Sequence, residues 1–202
     1  MNDLPSPGNT LQKASAPKVK DPQKTERSLL SLFEYAEVVV VCLLAIFAVY
    51  AFGFRICSVA GDSMNYTLKN QQKLLVSGIF YEPEQGDIVV FHQISPNHPQ
   101  YNEPIIKRVI ATPGDYIWIE SDGTVFLNGE ALDEPYITEK ALGECDIEFP
   151  YQVPENAFFM MGDQRETSID SRSSVIGCIS DDQILGRLLC RIWPLSQFEW
   201  MN

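Results

Sequence analysis

The chain has 202 residues, of which 45% are hydrophobic and 11% aromatic, and a formal net charge of −12. That length holds one ordinary domain plus a tail or an anchor, and the composition excludes a wholly disordered protein. After residue 55, 9 Lys+Arg stand against 22 Asp+Glu, and a body carrying −13 repels a phosphate backbone, which argues against nucleic acid as a partner.

Residues 1–28 are rich in Pro, Ser, Lys, Gln and Asn with almost nothing apolar, and read as a flexible tail. Within it Lys13, Lys18, Lys20, Lys24 and Arg27 outnumber Asp3, Asp21 and Glu26. Val38 to Phe54 follows, VVVVCLLAIFAVYAFGF, 17 residues without a charge, and Leu29 to Phe33 lengthen it on the entry side. A cleaved leader begins nearer residue 1 and ends in small residues, whereas this run ends F-G-F-R. A buried core helix carries a polar stripe, and this run has none. A retained transmembrane helix over 29–55 is therefore expected. The positive-inside rule keeps the basic tail cytoplasmic and puts residues 56–202 outside.

From residue 56 the pattern changes to short β-branched and aromatic runs. LLVS (74–77), DIVVF (87–91), IIKRVIA (105–111), DYIWIES (115–121) and TVFLNG (124–129) are punctuated by Gly78, Gly86, Pro113-Gly114, Asp122-Gly123 and Asn128-Gly129. Further strands are expected at AFFMMG (157–162) and ILGRLLCRIWP (184–194), with one short helix at 181–184. This predicts a mostly β domain of hairpins without a βαβ rhythm. The five cysteines (Cys42, Cys57, Cys145, Cys178, Cys190) have no C-x-x-C spacing, and His92 and His98 lie in no H-E-x-x-H frame, so no metal site is expected. Cys178 and Cys190 are candidates for a bridge if the body is exported.

The available nucleophiles are judged by their bases. Neither histidine has a companion motif, and A-G-D-S-M-N around Ser63 lacks the second glycine of a nucleophile elbow. Lysine is the other known partner of serine. A free lysine, with a pKa near 10.4, is protonated at pH 7, and only burial against apolar surface makes it a base. Lys107 sits in P-I-I-K-R-V-I, where strand alternation turns it and Arg108 to opposite faces, one inward and one solvated. Taken alone, a lysine in such a run is usually an edge-strand or surface residue.

Several ordered motifs resemble those of type I signal peptidases, the Ser/Lys proteases that remove secretory signal peptides. V-A-G-D-S-M-N-Y-T-L (59–68) is similar to that family's V-x-G-x-S-M-x-P-T-L, and G-D-I-V-V-F (86–91) to the strand that follows it. I-K-R-V-I-A-T-P-G-D (106–115) is similar to I-K-R-V-I-G-x-P-G-D, and G-D-Q-R-E-T-S-I-D-S-R (162–172) to G-D-N-R-x-x-S-x-D-S-R, with G-C-I (177–179) after it. The resemblance covers residues 56–194 in family order and implies a signal-peptidase-like all-β catalytic domain. It makes Ser63 the nucleophile, Lys107 the general base and Ser168 the group that holds the lysine amine. It also makes Asp170 and Arg172 a bracing ion pair, Asp163 a further support, and Val59, Met64, Leu68, Ile105 and Ile106 the lining of shallow substrate pockets. Residues 59–62 and 104–106 flank the substrate as strands. No cofactor is implied. The implied partners are the signal peptides of exported preproteins, the lipid bilayer and nearby secretion machinery, with the oligomeric state left open.

Tyr66, Ala111, Gln164 and Glu166 depart from the pattern, which puts loop geometry and substrate preference in question more than activity. Gly61 supplies no hydroxyl to an oxyanion, leaving the Ser63 N–H. Two rivals are a self-cleaving Ser/Lys protein of the repressor type and a catalytically silent membrane-tethered binding module. The first needs a DNA-binding domain, and the second predicts loss of Ser63, Lys107 or Ser168.

Overall fold

The computed structural model describes residues 22–93 and 103–201. The chain divides into two units, one ending at Ile46 and the other beginning at Phe47.

Helix α1 runs over Pro22–Gly53. Proline suits a first helical position, where its missing N–H has no partner to lose. Of the flexible tail expected over 1–28, residues 22–28 are helical and residues 1–21 lie outside the described ones. Along α1 the side chains are described from Phe33 to Val49, and every large apolar one among them is more than half exposed. Those 17 residues extend roughly 26 Å and include Glu34 and Glu37. Among the described residues no helix is long and apolar enough to cross a membrane. The helix expected over 29–55 is thus present with different bounds, and its last two residues belong to a strand.

The body is mostly β. Its strands are β1 (Phe54–Ser58), β2 (Lys73–Ser77), β3 (Ile88–His92), β4 (Pro104–Ala111), β5 (Tyr116–Ile119), β6 (Val125–Leu127), β7 (Glu130–Ala131), β8 (Tyr151–Gln152), β9 (Ala157–Met161), β10 (Ile179–Ser180), β11 (Ile184–Trp193) and β12 (Glu199–Trp200). An eight-stranded sheet has the order β1-β2-β11-β3-β4-β9-β10, with β12 paired to β11. A four-stranded sheet has the order β7-β6-β5-β8. Among the described residues all the pairings are antiparallel. The short helix expected at 181–184 is a 3-10 turn, Asp181–Gln183.

Among the described residues three apolar clusters hold the body. Val89, Phe91, Val109 and Met160 form one in the large sheet, and Ile110, Ala111, Ile117, Val125 and Phe159 form another shared with the small sheet. Val59, Met64, Leu68, Leu74, Ile88 and Leu188 form the third, beneath the segment that carries Ser63. Ala111, where the resembled pattern has glycine, is fully buried beside a β-bulge between Val109 and Ala111, its methyl filling core space. All five cysteines are free, Cys178 and Cys190 included.

Candidate active site

Ser63 lies in the loop between β1 and β2. Asn65 N–H donates to the Asp62 carbonyl at 2.9 Å and Leu68 N–H to the Met64 carbonyl at 2.8 Å, so the loop is closed by its own backbone. Tyr66 takes left-handed backbone with φ +78°. A proline ring, fixed near −65°, cannot adopt it. The departure at Tyr66 therefore goes with a different turn, and this one is well bonded. The Ser63 carbonyl accepts from Gln164 N–H at 3.1 Å, a backbone bond that ties the Ser63 segment to the 162–172 loop. The side-chain departure at Gln164 leaves that bond untouched.

Lys107 sits at the centre of β4 opposite Val89, and is 3% exposed. It shares one cavity of about 610 Å³ with Ser63, Ala60, Gly61, Ile105, Thr167 and Ile169. Burial pushes its pKa down to about 8; Asp170 and Asp163 pull the other way, and Arg172 adds to the lowering. Desolvation wins because, among the described residues, no carboxylate pairs with the amine directly: Asp163 is paired with Arg108 and Asp170 with Arg172.

Strand alternation holds, but its corollary fails. Arg108 is not solvated; it is 7% exposed. Its guanidinium donates to both Asp163 oxygens at 2.9 and 2.7 Å and to the Gly86 carbonyl at 2.8 Å, and lies 3.9 Å from the centre of the Tyr136 ring. Thr67 completes the Asp163 carboxylate with its hydroxyl. Asp163 therefore joins the Ser63 segment to β4.

Asp170 and Arg172 form the expected pair, fully buried and doubly bonded at 2.8 and 2.9 Å. Burial opposes ionisation of Asp170, but its bonds to Arg172 outweigh this and hold the carboxyl below its usual range. The same carboxylate accepts Gly162 N–H at 3.0 Å, and Arg172 donates to the Arg165 and Ser168 carbonyls. Gly162 has no room for a side chain, because a Cβ there would strike the Ser168 hydroxyl and the Ser63 carbonyl. That close approach is what brings Ser168 to the Ser63 segment. The Ser168 hydroxyl is buried and has no hydrogen-bond partner among the described residues.

The expected pocket residues divide. Val59, Met64, Ile105 and Ile106 line a second cavity of about 190 Å³ that also includes Ser63. Leu68 lines neither cavity; it is fully buried in the core, because its place one helical turn after Met64 points it beneath the loop. Of the histidines, His92 ends β3 half-buried, and His98 lies outside the described residues.

Three residues given no role in the sequence reading belong to this framework. Arg165 is fully buried and paired with Glu134, and Tyr136 stacks on Arg108. Arg165 had a visible signal, an arginine inside the 162–172 motif. Glu134 and Tyr136 had none, since they stand some thirty residues away in an irregular segment.

A family model described as "Signal peptidase, peptidase S26" matches residues 32–193. Signal peptidase IB of Staphylococcus aureus (strain MRSA252) is 32% identical over 187 residues, covering 84% of this chain and 93% of that protein. Signal peptidase I of Leptolyngbya laminosa is 35% identical over 146 residues, covering 69% of this chain and 68% of that one. A crystal structure of a signal peptidase I from Enterococcus faecalis V583 aligns with a TM-score of 0.44 and 26% identity over 54% of this chain and 97% of that one, a score too low to add weight. On the length and identity of the sequence matches, the chain belongs to the signal peptidase family, peptidase S26, and is a serine endopeptidase of the type I signal peptidase group.

Proposed function

We propose that this chain is a membrane-anchored signal peptidase that cuts signal peptides from exported preproteins after small residues, with Ser63 as nucleophile and Lys107 as general base. The observation that carries the reading is the burial of Lys107 on a cavity shared with Ser63, with its pKa lowered to about 8. A lysine so placed is neutral in a useful fraction of molecules near neutral pH, and an ordinary surface lysine is not.

The Ser63 hydroxyl attacks the scissile carbonyl while Lys107 accepts its proton; the Ser63 N–H supports the oxyanion, and Lys107 then protonates the leaving amine. A water, deprotonated by the same lysine, releases the acyl group. Ser168 offers its unpartnered hydroxyl to the lysine amine. Among the described residues no hydrogen bond joins the three side chains, and catalytic bonds of this kind commonly tighten only around substrate. Asp163, Asp170 and Arg172 fix the loop that carries Ser168. The substrate lies extended between 59–62 and 104–106, with small side chains entering the cavity of about 190 Å³ lined by Val59, Met64, Ile105 and Ile106.

The anchor is assigned to α1. Its exposed apolar side chains point all round, and a helix without a polar stripe is stable only in lipid or against a partner. Leu29, Leu30 and Leu32 continue the apolar pattern in sequence. Ser63 follows Arg55 by 8 residues, a reach of roughly 26 Å, which keeps the nucleophile near the outer boundary of the bilayer. The basic tail then stays in the bacterial cytoplasm and the body outside.

The test is cleavage of a preprotein by the purified full chain in detergent, with Ser63→Ala alongside. Correct cleavage by the first and none by the second is expected; cleavage by both sinks the reading. Protease added to intact cells should digest the body and spare the tail, and a protected body reverses the topology.

A further inference from the structure

Between β7 and β8 the chain runs without regular structure and returns to the 162–172 loop. Glu134 accepts two bonds from Arg165, at 2.5 and 3.0 Å, and Arg165 Nε donates to the Gly162 carbonyl at 3.0 Å. The Tyr136 hydroxyl donates to Glu134 at 3.0 Å, while its ring lies under Arg108, the arginine that holds Asp163. One short stretch therefore clamps two buried arginines, one on each side of Gly162–Asp163. Gly162 is where the Ser168 hydroxyl and the Ser63 carbonyl meet. Further along, Asp146 N–H donates to the Arg172 carbonyl at 3.1 Å, so the strap fastens the far end of the loop as well.

We propose that Glu134 and Tyr136 are positioning residues for the Ser63–Lys107 pair, acting through Arg165 and Arg108 to set where Ser168 stands beside the lysine. The inference rests on the dyad reading above. Without Glu134, buried Arg165 loses the carboxylate it is bonded to and keeps only the more distant charge of Asp163, so it is drawn toward water and away from the Gly162 carbonyl. A loosened loop admits water to Lys107 and lessens the desolvation that makes it a base.

The experiment measures kcat, KM and the pH profile of preprotein cleavage by the full chain in detergent, for Glu134→Gln, Tyr136→Leu and Tyr136→Phe. Glu134→Gln and Tyr136→Leu are expected to lower kcat by about tenfold or more, with KM changed less than about threefold. The rising limb of kcat/KM should move to higher pH by roughly half a unit or more. Tyr136→Phe keeps the ring on Arg108 and should recover most of the loss seen with leucine. A merely structural strap lowers the melting temperature and leaves kcat per folded molecule and the pH profile alone; that result overturns the proposal. Should neither Glu134→Gln nor Tyr136→Leu fold, as judged by near-ultraviolet circular dichroism, the strap is structural and the proposal falls. Ser63→Ala and Lys107→Arg in the same assay separate the two readings. If these remain active the dyad is wrong, and if they are dead while the strap variants are normal, only the positioning role is.

Discussion

The 162–172 loop and the four-stranded sheet treat charge in opposite ways. Around the loop, Arg108–Asp163, Arg165–Glu134 and Arg172–Asp170 are ion pairs with side chains 8% exposed or less. Beside the small sheet, Lys140–Asp122 has both side chains more than half exposed. Taking charge out of water costs free energy, and a well-packed apolar group in its place is often as stable or more so. A protein that needed only stability would not gather three such pairs around one buried lysine. On the proposed Ser63–Lys107 reading, the pairs fix geometry where Lys107 must stay both buried and aligned, whereas the small sheet, with no such demand, leaves its charges in solvent.

The largest effects should come from the pair that this framework surrounds. Ser63→Ala and Lys107→Arg should each lower kcat/KM by roughly 10⁴-fold or more, the second because a guanidinium stays charged at any working pH. In the unaltered enzyme kcat/KM should rise with pH and reach half its plateau near pH 8, where Lys107 loses its proton. A folded, active Lys107→Arg enzyme, read from one gel, would remove the reason for the buried framework.

Next in size is the cost of breaking the framework. Asp163→Ala leaves Arg108 buried without its carboxylate and should destabilise the fold by about 3–5 kcal/mol, measured by denaturant unfolding. A loss no greater than a surface pair gives would erase the contrast between the two regions.

A third prediction has the opposite sign. Below pH 8 Lys107 is protonated in both folded and unfolded chains, and the folded one carries a buried ammonium. Between about pH 8 and 10.5 the unfolded chain keeps a proton that the folded one has released, so stability rises with pH in that window. Lys107→Met should therefore stabilise the inactive protein at pH 7 by on the order of 3 kcal/mol, a gain that fades as the pH approaches 10.5. Equal stability of the two proteins at pH 7 would mean the lysine carries no desolvation penalty.

These regions were unequally legible in the sequence. The long strands β2, β3, β4, β9 and β11 stood out as β-branched runs cut by glycine and proline. β1 was hidden because Phe54–Ser58 continues the apolar run of α1, and the two-residue ladders β7, β8, β10 and β12 are too short to leave a period. Alternation foretold that Lys107 and Arg108 diverge. It was silent on what covers the second face, since Asp163 and Tyr136 arrive from distant segments. The 162–172 motif pointed to Asp163, Ser168, Asp170 and Arg172 by resemblance, and the structure places them together. Glu134 pairs across 31 residues with no periodic pattern to mark it, so only the fold could reveal it.

The smallest effect belongs to Lys140 and Asp122, and it sharpens the comparison most. By geometry alone this pair matches the buried ones: the ammonium is 2.5 Å from the carboxylate and 2.7 Å from the Thr124 hydroxyl. Lys140 and the Thr124 groups hold the Asp122 carboxyl below its usual range. Whatever the pair contributes is present above the ordinary carboxylate range and lost as acid protonates Asp122. Exposure decides against a large contribution, because water and salt screen both charges and two flexible side chains must be ordered to keep the contact. Lys140→Ala should shift Tm by no more than about 2 °C and leave kcat alone, with even that shift vanishing in high salt. A fall in Tm as large as that of Asp163→Ala would show that short distance, rather than burial, sets the value of an ion pair in this fold.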